Sequence, residues 1–84
     1  MTMKSMPWDE EVWRKLKDAI SPMPPPIRAK ALEAIIAASE EFARSRGAKI
    51  VQEEDLLRAA RERVPAADRQ RMLEALAQQG LGRT

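Results

Sequence analysis

The sequence predicts an all-α domain of four helices, in which one long helix follows a proline-rich corner and shorter helices pack on it. Apolar residues recur at three- and four-residue spacing through most of the chain. Glycines and prolines stand at the ends of these periodic segments, where helices stop or start. A chain of 84 residues is long enough for one small core, and we find no internal repeat in it.

The first helix is predicted to begin after Asp9, a good N-cap, and to end at Ile20. Two glutamates follow the cap and suit the positive end of the helix dipole. Trp8 precedes the cap and is placed to pack on Trp13 as a hydrophobic staple. The predicted core-facing residues are Val12, Trp13, Leu16, Ala19 and Ile20.

The corner is the stretch SPMPPP, residues 21–26. Proline disfavours a helical conformation in the residue before it, so this stretch ends the first helix. Its last prolines suit the first turn of the next helix, where a missing N–H costs nothing. We predict that helix over residues 25–46, with Gly47 as its left-handed C-cap. Its predicted apolar face consists of Ile27, Ala31, Ile35, Ala38 and Phe42, with Leu32, Ile36 and Ala43 beside it.

Two shorter helices complete the prediction. An extended connector at residues 48–51 leads to a third helix that begins at Gln52 or Glu53 and ends near Arg63. Pro65 then starts a fourth helix over residues 66–79. Gly80 and Leu81 fit a Schellman end for that helix. The predicted inward residues of these helices are Leu56, Leu57, Ala60, Val64, Met72, Leu73, Leu76 and Ala77.

We predict one domain over residues 7–81, with flexible tails at residues 1–6 and 82–84. No apolar run approaches the roughly 20 residues that span a bilayer. The N-terminus has no signal-peptide hydrophobic segment, so we expect a cytoplasmic protein without membrane contact.

The residue types that carry most catalysis and metal binding are scarce. The chain contains no cysteine and no histidine, so thiolate and imidazole ligands are absent and its serines lack the usual base. The consecutive acids Glu53, Glu54 and Asp55 splay around a helix axis instead of converging. Glu40 and Arg44 are predicted to form a routine surface pair. We therefore expect no enzyme activity, no metal and no cofactor.

Two other functions stay open as alternatives. An aromatic pair, Trp8 and Trp13, together with five methionines suggests binding of a flat apolar ligand such as a tetrapyrrole. Several arginines of the last two helices suggest weak nucleic-acid binding as the second alternative. Residues 51–84, however, carry equal numbers of acids and bases, which argues against a phosphate-binding surface.

A series of landmarks along residues 7–60 adds a resemblance. In order they are Trp8, Leu16, the prolines at 24–26, Arg28, Glu40 or Glu41, Ala43, Gly47, Val51 and Glu54. This order resembles the small C-terminal domain of the B subunit of light-independent protochlorophyllide reductase, a domain that also occurs as free-standing or fused bacterial proteins. The long helix here is about one turn longer than in that pattern, and Gln52 stands where threonine is expected. The resemblance implies a free-standing helical accessory module without that enzyme's catalytic machinery.

These observations favour a non-enzymatic module that binds a protein partner or associates with itself. The candidate contact residues, for a partner or a ligand, are Trp8, Trp13, Pro25, Pro26 and Arg28. Arg28 has two interpretations. It could bond carbonyls at the end of the first helix and so lock the corner, or it could hold a carboxylate of a ligand or partner.

Overall fold

The computed structural model describes residues 4–82 and confirms the predicted all-α fold. Its helices differ from the predicted bounds by no more than one residue at either end. Residues 1–3 and 83–84, which belong to the predicted tails, lie outside the described part of the chain. The helices are α1 (Glu10–Ile20), α2 (Pro25–Ser45), α3 (Glu53–Glu62) and α4 (Ala66–Gln78).

The start of α1 is built as predicted. The Asp9 carboxylate accepts hydrogen bonds from the N–H groups of Glu11 and Val12, at 3.0 and 3.1 Å. The rings of Trp8 and Trp13 meet edge to face with their centroids 5.2 Å apart. The cap and the hydrophobic staple together fix where the chain enters α1.

α2 and α4 both end in a Schellman motif. Gly47 has a φ of 75°, and the N–H of Ala48 donates to the Ala43 carbonyl at 2.9 Å. At the end of α4 the N–H of Leu81 donates to the Leu76 carbonyl at 3.0 Å, and Leu81 is buried. The left-handed glycine therefore turns the chain back onto its own helix at each of these ends.

The helices pack in a chain of pairs around one core. α2 packs mainly against α3, α3 also packs against α4, and α4 packs against α1. A parallel β-bridge joins Trp8 to Val51, with the Asp9 N–H donating to the Val51 carbonyl at 2.9 Å. Val51 is fully buried, so the connector before α3 closes the core beneath the start of α1.

Only the C-terminal half of α2 contributes fully buried side chains to this core, although Ala31 and Leu32 of the other half pack partly against it. α2 has 21 residues, whereas α1 has 11 and α3 has 10, so its partners are too short to cover it. The core begins at Ile35, and residues 25–34 contain no buried side chain. Ile27 is 58% exposed, so the prediction that it faces the core with Ile35 is wrong. The apolar pattern continues along the helix beyond the point where its neighbours end.

Within residues 4–82, no helix is long and apolar enough to cross a membrane.

Candidate interaction surface

The two tryptophans belong to the domain's own packing. Trp8 is 5% exposed, and its indole N–H donates to Oε2 of Glu40 at 2.9 Å. Trp13 is half-buried, and the ammonium groups of Lys4 and Lys17 lie 4.5 and 5.6 Å from its ring centroid. Both rings are thus already in contact with groups of the same chain.

Glu40 is a buried carboxylate, with 3% of its surface exposed. The backbone N–H of Ser5 donates to it at 3.0 Å, and the Ser5 hydroxyl and the Trp8 indole donate as well. Burial raises the pKa of the Glu40 carboxyl, but the hydrogen bonds from Ser5 and Trp8 outweigh it and leave the pKa below its usual value. The ionised carboxylate therefore fastens the N-terminal segment onto α2.

This arrangement corrects one prediction and extends another. Within the described residues the predicted surface pair of Glu40 and Arg44 is absent, because Glu40 lies on the buried side of α2. Arg44 instead donates to the Ser5 hydroxyl oxygen at 3.3 Å. Met6 also packs on the core. The contacts of the domain thus begin at least two residues before the predicted boundary at residue 7.

A second buried carboxylate ties α3 to the end of α2. Asp55 is 2% exposed and accepts two hydrogen bonds of 2.7 Å from the Arg46 guanidinium. It also accepts from the N–H of Gln52 at 3.0 Å and so caps α3. Burial raises the pKa of Asp55. The hydrogen bonds from Arg46 and the Gln52 N–H, together with the charge of Arg46, outweigh burial, so the pKa lies below its usual value. Glu54 also pairs with Arg46, at 3.0 Å, so two of the three consecutive acids meet at one guanidinium and the prediction that they do not converge is wrong for this pair.

At the proline corner Arg28 makes a hydrogen bond to a carbonyl at the end of α1, as its structural interpretation predicts. The Arg28 Nη1 atom donates to the carbonyl of Ser21, the C-cap residue of α1, at 3.2 Å. Pro25 and Pro26 occupy the first turn of α2 and are exposed. Together with Ile27 they place an apolar surface at the tip of the long helix.

Two arginines of the last helices have partners within the domain. Arg58 and Arg63 lie over the ring of Phe42, at 4.2 and 4.9 Å from its centroid. Arg58 also pairs with Glu62 at 3.1 Å, and Arg63 pairs with Glu41 at 2.9 Å. These neighbouring acids reduce the positive potential that a phosphate backbone requires.

A shallow groove of about 350 Å³ lies between the first turns of α1 and α3 and the residue Leu81. Most of its lining side chains are polar or charged, unlike the apolar walls of a typical small-molecule pocket. They are Asp9, Glu11, Val12, Lys15, Gln52, Glu53 and Leu81. Across residues 4–82, no three carboxylates are grouped so that they could hold a metal ion.

The long helix presents one further face, which the sequence prediction did not single out. We call it the outer face of α2. Its members recur at alternating three- and four-residue spacing, so they lie along one side of the helix, and all of them are exposed. They are Ile27, Lys30, Ala34, Ala37, Glu41 and Arg44.

Comparison of the chain with protein-family models, curated proteins and solved structures gives no match.

Proposed function

We propose that this chain is a non-enzymatic helical module that binds protein, and that the outer face of α2 is its contact surface. The observation that carries the proposal is the exposure of Ile27, at 58%, on a helix that extends beyond its own core. A large apolar side chain at the end of a continuous helix face is a suitable anchor for a partner.

The domain does not need this face for its own folding. The core is closed on the opposite side of α2, where Ile35, Ile36 and Phe42 are buried. Glu40 and Asp55 fasten the N-terminal segment and α3 to that same side. The outer face is therefore available for contacts with another molecule without cost to the core.

The resemblance to the small domain of protochlorophyllide reductase supports an accessory role. A module of that kind would act by docking, in the cytoplasm, and would use the proline corner as its rigid end. Arg28 and the prolines would then set the direction of α2 and contribute indirectly, while Ile27 makes contact. This kinship and this location are part of the proposal.

Site-specific photo-cross-linking in the cells that produce the protein tests the proposal. A photoreactive residue at Ala37, on the outer face, is compared with one at Arg71, an exposed position of α4. We expect covalent adducts to protein from position 37 and none, or far fewer, from position 71. Equal yields, or no adduct at position 37, would contradict the proposal.

Binding of a flat apolar ligand remains a prediction with less support. Trp8 already donates its N–H to Glu40, and Trp13 is partly covered by Lys4 and Lys17. Titration of tryptophan fluorescence with a porphyrin decides the question, since binding near either ring would quench emission at micromolar ligand.

Weak nucleic-acid binding also remains a prediction. Arg58 and Arg63 have carboxylate partners, so we expect no salt-dependent retardation of DNA at low ionic strength.

A further inference from the structure

The outer face of α2 has a symmetry that identifies a partner. The inference drawn from it rests on the proposed function, because it names what binds to the proposed contact surface. Read from either end, the face presents a bulky end residue, a charged residue and then an alanine. In chain order its members are Ile27, Lys30, Ala34, Ala37, Glu41 and Arg44.

We infer that this face pairs with the same face of a second copy of the chain, in antiparallel orientation. The two-fold axis would pass between residues 35 and 36. Ala34 of each copy then lies opposite Ala37 of the other, and Lys30 lies opposite Glu41. Such isologous contact is the commonest geometry of homodimers, because one surface serves both partners.

The centre of the pairing is made of small residues. Four alanines, Ala34 and Ala37 from each copy, let the two helix axes approach to about 8 Å, the short end of the usual range. The layers alternate as in an antiparallel coiled coil, in which residues at three- and four-residue spacing face one another. At the ends Ile27 lies against the aliphatic stem of Arg44 from the second copy.

The charges select the second copy and the antiparallel direction. Lys30 and Glu41 flank the alanines on opposite sides of the axis, so the antiparallel dimer contains two pairs of opposite charge. A parallel pairing of the same face would place Lys30 against Lys30 and Glu41 against Glu41. Like charges across an interface are unfavourable, so the parallel alternative is disfavoured.

The contacts that these side chains make within one copy leave room for the pairing. Glu41 accepts from Arg63 through Oε2, and a carboxylate can accept a second cation through its other oxygen. The Glu41–Arg63 pair is exposed on both sides, so it contributes little to stability on its own. Arg44 uses one guanidinium nitrogen for Ser5, and its stem stays available to Ile27.

The interface is small, so the dimer is expected to be weak. One face of α2, about 31 Å long, falls at the low end of specific interfaces. We expect a dissociation constant on the order of 100 µM. Sedimentation equilibrium over about 10 µM to 1 mM chain should show the average mass rising towards that of two chains.

Complementary charge reversals test the pairing itself. In Lys30→Glu and in Glu41→Lys each homodimer places like charges together, and we expect dimerisation about tenfold weaker for either variant alone. In an equimolar mixture of the two variants the heterodimer restores both opposite-charge pairs, so the average mass should rise to the wild-type value at the same concentration. The recovery also shows that both variants are folded, because misfolded chains would not complement each other.

Two results would overturn the inference. One is a wild-type chain that stays monomeric at 1 mM. The other is an equimolar mixture of the two variants whose average mass is no higher than that of either variant alone. Neither result would by itself remove the proposed function, because cross-links from position 37 to a different protein would still support it. Cross-links from position 37 that join only two copies of the chain, together with a wild-type dimer and recovery in the mixture, would confine the function to self-association.

Discussion

Glu40 shows how a single carboxylate can set the arrangement of a small domain. Its hydrogen bonds from Ser5 and Trp8 join parts of the chain that are 35 and 32 residues apart. A buried charge without such donors would be strongly unfavourable. With them, the side chain orients the N-terminal segment and positions the Trp8 ring against the core.

Replacing Glu40 by glutamine tests this role. Glutamine puts an amide NH₂ where donors from Ser5 and Trp8 converge, so at least one of them loses its acceptor. We expect the free energy of unfolding to fall by about 1–3 kcal/mol, measured by urea denaturation. Glu33→Gln, an exposed change on the same helix, should stay within about 0.5 kcal/mol of wild type. Equal effects of the two changes would contradict the account.

The two buried carboxylates also predict how stability depends on pH. In the folded chain the pKa values of Glu40 and Asp55 lie below their usual values. In the unfolded chain the pKa values of these groups are about 4.3 for Glu40 and about 3.9 for Asp55, so the unfolded chain binds more protons than the folded chain as the pH falls. We expect the free energy of unfolding to be nearly constant from about pH 7 to 5.5 and to decrease below about pH 5.

Denaturant titrations of wild type and Glu40→Gln at several pH values measure this dependence. The variant lacks one of the two groups, so its decrease below about pH 5 should be shallower. A wild-type stability that is unchanged, or that rises, between about pH 6 and pH 3 would disprove the assignment of these carboxylates as stabilising ions.

At the scale of the element, α2 is a helix of two unequal halves. Its C-terminal half contributes Ile35, Ile36, Ala38 and Phe42 to the core, whereas its N-terminal half has no buried side chain. The proline corner and the bond from Arg28 to Ser21 keep the first turn in place without such packing. The first turn of α2 therefore lies outside the core, and the contact with the core begins with the partly buried Ala31 and Leu32.

Substitution of one isoleucine in each half of α2 distinguishes the two halves by their contribution to stability. Ile35→Ala removes a side chain that is 1% exposed and should cost about 2–5 kcal/mol of unfolding free energy. Ile27→Ala removes one that is 58% exposed and should change the free energy by less than about 0.5 kcal/mol. Urea denaturation at low micromolar protein concentration measures both. A large loss from Ile27→Ala would place that residue inside the core.

The helices could be predicted because their signals are local. Asp9, the prolines at residues 22–26 and Gly47 act within a few residues of themselves, and each marks a helix end in the structure. Even the position of Glu40, one turn after Ile36 on the apolar side of α2, could have been read from spacing. Its donors could not, because they come from a distant part of the chain.

The exposure of Ile27 could not be predicted from the sequence, because it too depends on distant parts of the chain. An apolar spacing marks the side of a helix, but it does not show where the neighbouring helices stop. In this fold α2 packs mainly on α3, α4 packs on α1 and α3, and the buried side chains of α2 begin at Ile35. The outer face follows from these lengths and packing partners, which only the assembled fold reveals.

At the scale of the whole molecule, the domain is closed on one side of α2 and open on the other. Buried carboxylates and two Schellman ends secure the closed side. The open side holds an exposed isoleucine, small residues and charges of both signs. We therefore propose that the open side is the protein-binding surface and that a second copy of the chain occupies it.

Amide ¹H–¹⁵N correlation spectra recorded on dilution of the wild-type chain test this claim most directly. We expect concentration-dependent shifts for residues of the outer face of α2, such as Ile27, Lys30 and Ala37, and unchanged signals for exposed residues of α4. Signals that stay constant up to about 1 mM, or shifts centred on α4, would contradict it.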